Sequence, residues 1–172
     1  DNRYIVLDKE AAQKNLENGE VLQGTALAHE ISHFIDDASF ENENEKADYT
    51  RNLHKFISKN SPEVHDRAIT RVNYITDAEG KKLYQEDKSF EEQDIIYQDE
   101  YTKAVQDILM DPSWSREYND IKKKAGEGVV NRIRGLLNKD FVISSDRSAG
   151  AWMVGFIDNF KDGQLSPYAK RK

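Results

Sequence analysis

The stretch ALAHEISHFI, residues 26–35, decides how the rest of the chain is interpreted. Its apolar side chains recur at helical spacing, at Leu27, Ile31, Phe34 and Ile35. Thr25 precedes the pattern and is a good N-cap residue. Apart from two histidines and Glu30, this helix is apolar nearly all round, which predicts a central, buried position in the fold.

His29 and His33 lie four residues apart, so a helix places them one above the other on the same face. Both rings can then reach one ion at about 2 Å. Glu30 is turned about 100° around the helix, where it can act on a water bound to that ion. The pattern predicts that His29 and His33 bind Zn²⁺ and that Glu30 is the general base of a hydrolase. The alternative is a helix in which neighbouring acids satisfy the histidines and Glu30 forms a salt bridge.

Residues 27–37, LAHEISHFIDD, resemble the active-site helix of zincin metallopeptidases. The pair Asp36-Asp37 is similar to the anthrax lethal factor-like group and to metalloprotease domains of bacterial effectors and polymorphic toxins. The sequence departs from many members at Ser32, where glycine is common; that position supplies no ligand. The resemblance implies a zincin-like fold around this helix, and a chain secreted by bacteria or delivered into a target cell.

A catalytic zinc usually takes three protein ligands. The metzincin spacing is excluded because Asp36 and Ser39 stand where it requires glycine and histidine. Asp37 cannot complete the site, since a straight helix rises about 12 Å over eight residues. In gluzincins the third ligand is a glutamate from a following helix. Residues 97–105, YQDEYTKAV, resemble the third-ligand helix of the lethal factor-like group, and this resemblance makes Glu100 the preferred ligand.

Two alternatives for the third ligand stay open. The first is the acidic cluster at the start of the next helix, formed by Glu41, Glu43 and Glu45, which a short loop would bring back near His33. Asp146 is the second. Tyr97 and Tyr101 are candidates for stabilising the oxyanion, with core packing as their alternative.

Two further histidines, His54 and His65, are interpreted as partly buried structural residues rather than ligands. The basic cluster at Lys122, Lys123 and Lys124 is interpreted as a solvated helix face. Trp114 and Trp152 are expected in the core, and the small residues 148–151 favour close helix packing.

Composition narrows the class of protein. The net charge of −7 argues against a nucleic-acid binder and against docking on anionic lipid. No apolar run is long enough for a membrane span. The chain has no cysteine, so thiolate ligands and cysteine nucleophiles are excluded. Because the chain opens at Asp1 without methionine, removal of an export signal or an upstream domain is one interpretation.

The pattern along the chain predicts a single domain, residues 1–172, that is mostly α with a small β component. Strands are predicted at Tyr4–Leu7 and around Phe141–Ile143. Beyond the motif helix, amphipathic helices are predicted from residue 45, from Ser61-Pro62, from Ser89 to Asp111, and around 118–137 and 148–160.

The function predicted from the sequence is a zinc-dependent metalloendopeptidase with a protein or peptide substrate; the oligomeric state is left open. The resemblance alone adds a bacterial toxin or effector acting on a host or competitor protein. The competing hypotheses are a non-catalytic zincin-like binding domain, and a helical interaction domain in which the motif is accidental.

Overall fold

The computed structural model describes Phe40, residues 42–136 and residues 143–162. These residues form α1 (Glu43–Asn60), α2 (Pro62–Val72), α3 (Ile95–Met110), α4 (Ser115–Ala125), α5 (Glu127–Leu136) and α6 (Asp146–Lys161). The prediction of a mostly helical protein is therefore confirmed. The predicted strand at residues 4–7, the H-E-x-x-H helix and most of the strand at 141–143 lie outside the described residues. Within them, β structure is limited to one antiparallel bridge between Thr76 and Lys82.

Helices α1 and α2 follow directly from local sequence signals. The Asn42 side chain accepts a 3.1 Å hydrogen bond from the backbone N–H of Glu45 and so caps α1. The predicted apolar face of α1 is buried, as expected: Tyr49, Leu53, Phe56 and Ile57. Helix α1 ends at Asn60, and Pro62 occupies the first turn of α2, where its missing N–H costs nothing.

Helix α3 begins six residues later than Ser89, contrary to the prediction. Ser89 instead caps the short 3-10 turn Phe90–Glu92, with which it forms a capping box. Asp94 caps α3 by accepting a 2.8 Å hydrogen bond from the N–H of Ile96. Ile95 and Ile96 lie in the first turn of α3 and are exposed. Helix α3 ends before Asp111-Pro112, as the sequence predicts.

The segment predicted as one helix around 118–137 is two helices, α4 and α5. Gly126 separates them at a φ of +91°, a backbone conformation that side chains with a Cβ rarely adopt. Helix α4 therefore ends at Ala125, and α5 begins at Glu127. The two helices contact each other and both pack against α6.

Helices α1 and α6 pack against each other at the centre of the described core. Phe56, in the second half of α1, packs on Gly150 near the start of α6, while Phe40, before α1, lies 6.0 Å from the later Trp152. A Cβ built on Gly150 would lie 2.3 Å from the Phe56 ring, so the predicted close packing of residues 148–151 is confirmed at this glycine. Helix α3 packs on α1 and α2.

Other expectations about the core had mixed outcomes. Trp152 is buried as expected, whereas Trp114 is only half-buried. Lys122 departs from the predicted solvated face because its Nζ lies 2.7 Å from the buried carboxylate of Asp158. Within the described ranges, no helix combines the length and the apolar character that crossing a bilayer demands.

Candidate functional site

The predicted metal-binding motif, His29, Glu30 and His33, lies outside the described residues, as does Glu41. The structure therefore bears on the remaining candidates for the site. These are the alternatives for the third ligand, the two tyrosines proposed for the oxyanion, and the two histidines of α1 and α2.

Glu100 lies in the second turn of α3 and is half-buried. Lys103 and Asp107, three and seven residues further on, share its side of the helix. This side is polar but well covered, since Lys103 is only 2% exposed. The carboxylate of Glu100 forms no hydrogen bond or ion pair with the described part of the chain. Glu100 is thus a half-buried carboxylate that has no hydrogen bond or ion pair among the described residues.

Its neighbour Asp99, by contrast, forms ion pairs with two lysines, although its Oδ1 is buried without a hydrogen bond. Asp99 Oδ1 lies 3.2 Å from Nζ of Lys46 on α1, and Oδ2 forms an ion pair with Lys103 one turn along α3. The spacing of Asp99 and Lys103 is readable as an (i, i+4) pair in the sequence. The pairing of Lys46 with Asp99 has no such signal in the sequence, because Lys46 belongs to another helix. The sequence therefore did not indicate this ion-pair network.

The ion pair between Lys46 and Asp99 also shows that the two leading candidates for the third ligand, Glu45 and Glu100, belong to neighbouring helix turns. Glu45 is adjacent to Lys46, and Glu100 is adjacent to Asp99, so the first turn of α1 and the early part of α3 lie together. Glu45 is half-buried, whereas Glu43 is exposed. Glu45 and Glu100 are thus both half-buried carboxylates on helices that this ion pair joins.

Asp146 lies near the last residues of α1, whereas Glu45 lies in its first turn. It begins α6, next to Arg147, whose Nε donates a 3.1 Å hydrogen bond to the Ala125 carbonyl. The neighbouring Lys124 donates to the carbonyl of Asn60, the last residue of α1. The structure therefore does not bring Asp146 together with Glu45 or Glu100.

Tyr97 and Tyr101 belong to the apolar side of α3 and are buried. The Tyr97 hydroxyl donates a 2.8 Å hydrogen bond to Asn73 Oδ1, and the Tyr101 hydroxyl forms a 2.9 Å hydrogen bond with His65 Nδ1. Burial raises the pKa of Tyr97 to about 12, with a smaller effect from Tyr84, and burial likewise raises the pKa of Tyr101. These contacts favour core packing over stabilisation of an oxyanion.

His54 and His65 form an aromatic cluster with Phe90 and Tyr101. The His54 ring stacks on Phe90 with centroids 3.8 Å apart, and lies 5.1 Å from the His65 ring. Burial lowers the pKa of His54 to about 4, helped by His65, and burial also lowers the pKa of His65. Both residues are partly buried and neutral near pH 7, which agrees with the structural role expected from the sequence.

Within the described residues, no group of three or more histidine, aspartate and glutamate side chains is placed to hold a metal ion. The motif histidines, His29 and His33, lie outside those residues. Comparison with protein-family models, curated proteins and solved structures found no match.

Proposed function

We propose that this protein is a zinc-dependent metalloendopeptidase with a zincin-like fold, in which His29, His33 and Glu100 hold Zn²⁺ and Glu30 is the general base. The H-E-x-x-H pattern is the observation that carries the proposal. The half-buried and uncommitted carboxylate of Glu100 supports it from the described part of the chain.

The roles follow from the chemistry of the side chains. Zinc, when bound, supplies Lewis acidity at the substrate carbonyl. Glu30 takes a proton from water and delivers it to the leaving amine. The two imidazoles bind the ion as neutral ligands, and the carboxylate of Glu100 offsets one of its positive charges.

Glu100 is preferred to Asp99 because the latter is held by two lysines. Withdrawing Asp99 to bind a metal would leave Lys103 buried without its counterion, which is costly. Glu100 can bind a metal with no such loss. It is also one methylene longer, which extends its reach beyond the helix surface.

The biological setting is proposed on the resemblance alone: a bacterial protein that is secreted or delivered into a target cell and cleaves a host or competitor protein. The predicted substrate is a polypeptide. The net charge of −7 is in keeping with a protein rather than a nucleic-acid partner.

Zinc content and proteolysis together test the proposal. We expect the purified protein to hold one zinc per chain by elemental analysis, and to cleave members of a broad panel of native and unfolded proteins. Glu30→Gln should retain zinc and lose cleavage by a factor of about 100 or more. The control is Glu79→Gln, an exposed glutamate in the turn before Gly80.

Each competing hypothesis predicts a different outcome. A non-catalytic zincin-like domain would hold zinc, but wild type and Glu30→Gln would show the same absence of cleavage across the panel. An accidental motif predicts no stoichiometric zinc, and no change in metal content in His29→Ala. Either result contradicts the proposal.

A further inference from the structure

The large hydrophobic residues that are exposed within the described ranges concentrate where α2 ends and α3 begins. They are Tyr74, 75% exposed, Ile96, 55% exposed, and Ile95, 40% exposed. The hydrogen bond between Tyr97 and Asn73 joins the end of α2 to the start of α3. Apolar side chains gathered at one place on a polar surface are typical of an interaction site.

The loop that leads into α3, residues 85–94, is held in a fixed conformation although it is mostly exposed. The buried Gln93 side chain accepts a 3.0 Å hydrogen bond from the Gln85 N–H and donates to the carbonyls of Gln85 and Lys88, at 2.7 and 2.9 Å. Gln98 in α3 donates to the Gln93 carbonyl at 2.9 Å. These side-chain bonds organise the loop before any partner arrives, which reduces the entropy lost on binding.

The same loop is strongly acidic. Its exposed charged residues are Glu86, Asp87, Lys88, Glu91, Glu92 and Asp94, five acids and one base. Lys55 of α1 lies 3.8 Å from Glu91 and offsets it only weakly, because both side chains are largely exposed. We define Tyr74, Ile95, Ile96 and these five acids as the acidic corner.

We propose that the acidic corner binds a polypeptide segment in which apolar side chains alternate with lysine or arginine. The two isoleucines and Tyr74 would contact the apolar side chains, and the rim of carboxylates would face the cations. The charge of the rim selects a cationic segment over a neutral or acidic one.

The position of the acidic corner suggests which polypeptide this is. Ile96 lies one helical turn before Glu100, on the same side of α3. If the proposed function holds, the corner is a recognition surface for the substrate, beside the metal site. This last step depends on the proposed function; the binding itself does not.

Fluorescence anisotropy with labelled peptides tests the binding. The probes are a twelve-residue peptide that alternates lysine with leucine, and a matched peptide with glutamate in place of lysine. They are titrated into the full chain carrying Glu30→Gln, so that no cleavage interferes. We expect binding of the lysine peptide only, weakened about tenfold or more by Ile95→Ser/Ile96→Ser.

A second variant separates charge from apolar contact. Glu86→Gln/Asp87→Asn/Glu91→Gln removes three carboxylates that cap no helix, and should weaken binding severalfold at low salt but little at high salt. Equal affinity of both peptides, or unchanged affinity in the double isoleucine variant, would overturn the inference. Binding without zinc or cleavage would leave the inference intact while refuting the proposed function. If the same substitutions, introduced into the chain with Glu30 intact, leave its cleavage unchanged, the substrate role of the acidic corner is refuted and the proposed function stands.

Discussion

Lys46 Nζ lies 3.2 Å from Asp99 Oδ1, and this ion pair ties the first turns of α1 to the early part of α3. Asp99 also pairs with Lys103, whose side chain is 2% exposed. The network thus holds in place the turn of α3 that carries Glu100. Because Asp99 is the common acid of both pairs, it is the residue whose loss should matter most.

Asp99→Asn should destabilise the fold by about 3–5 kcal/mol, since it leaves Lys103 buried without a counterion. Asp120→Asn is the matched control, because Asp120 pairs with Lys123 at 3.8 Å on the surface, where such pairs contribute about 0–1 kcal/mol. Urea denaturation measures both. Similar small losses in the two variants would contradict a stabilising role for the network.

Glu100→Gln should lower the affinity for zinc by more than the 10–100-fold typical of residues behind a metal ligand. Competition with a chromogenic chelator measures the affinity. Glu117→Gln, another half-buried helical glutamate, is the control. If Glu45→Gln instead causes the larger loss, the acidic cluster before Asp48 supplies the third ligand.

Gly150→Ala should cost about 1–3 kcal/mol, because the new Cβ would overlap the buried ring of Phe56 and force α1 and α6 apart. Gly128→Ala in α5 meets nothing within 4 Å, and we expect a stabilisation of about 0.5–1 kcal/mol. Thermal denaturation of the two variants should therefore shift in opposite directions. A shift in the same direction in both variants would mean that α1 and α6 pack less closely at Gly150 than the structure shows.

The stability of the fold should depend on the neutral state of His54. The pKa of His54 is lowered from 6.5 to about 4, first by burial and then by His65, with Lys55 adding to this and Glu91 opposing it. The unfolded chain therefore takes up the proton first as the pH falls. The stability contributed by neutral His54 is present above about pH 6.5 and is lost as the pH falls towards about 4.

Denaturation between pH 7 and 4, with chelator present to remove effects of metal at the motif, should show a shallower loss of stability in His54→Phe than in wild type. The shared titration of carboxylates cancels in this comparison. Parallel curves would show that His54 does not titrate differently in the folded and unfolded states.

Tyr101→Phe should destabilise the protein by about 1–3 kcal/mol, because it leaves the His65 ring nitrogen without its hydrogen-bond partner. Zinc content and cleavage should stay at wild-type levels if Tyr101 is a packing residue. Tyr74→Phe, at an exposed position, is the control for stability and should leave it unchanged. A large loss of cleavage with normal stability in Tyr101→Phe would instead indicate that this tyrosine acts in the active site.

Helices whose signals are local were predictable. The face of α1 at Leu53 and Phe56 repeats with the period of the helix, and Pro62 marks the start of α2. The start of α3 was misplaced because Ser89 and Asp94 are both good capping residues, and only the surrounding loop, held by Gln93, selects between them. The break at Gly126 was missed because the apolar spacing continues across it.

The sequence by itself determined the helical class of the protein, the apolar faces of α1 and α2, and the pattern at His29, Glu30 and His33, because each depends on neighbours a few residues away. Only the tertiary structure decided that Asp99, and not its neighbour Glu100, forms ion pairs with lysines. That choice depends on Lys46, which reaches Asp99 from another helix. The physical reason is that an ion pair between helices depends on how they pack, and the spacing of residues along one helix does not contain that information.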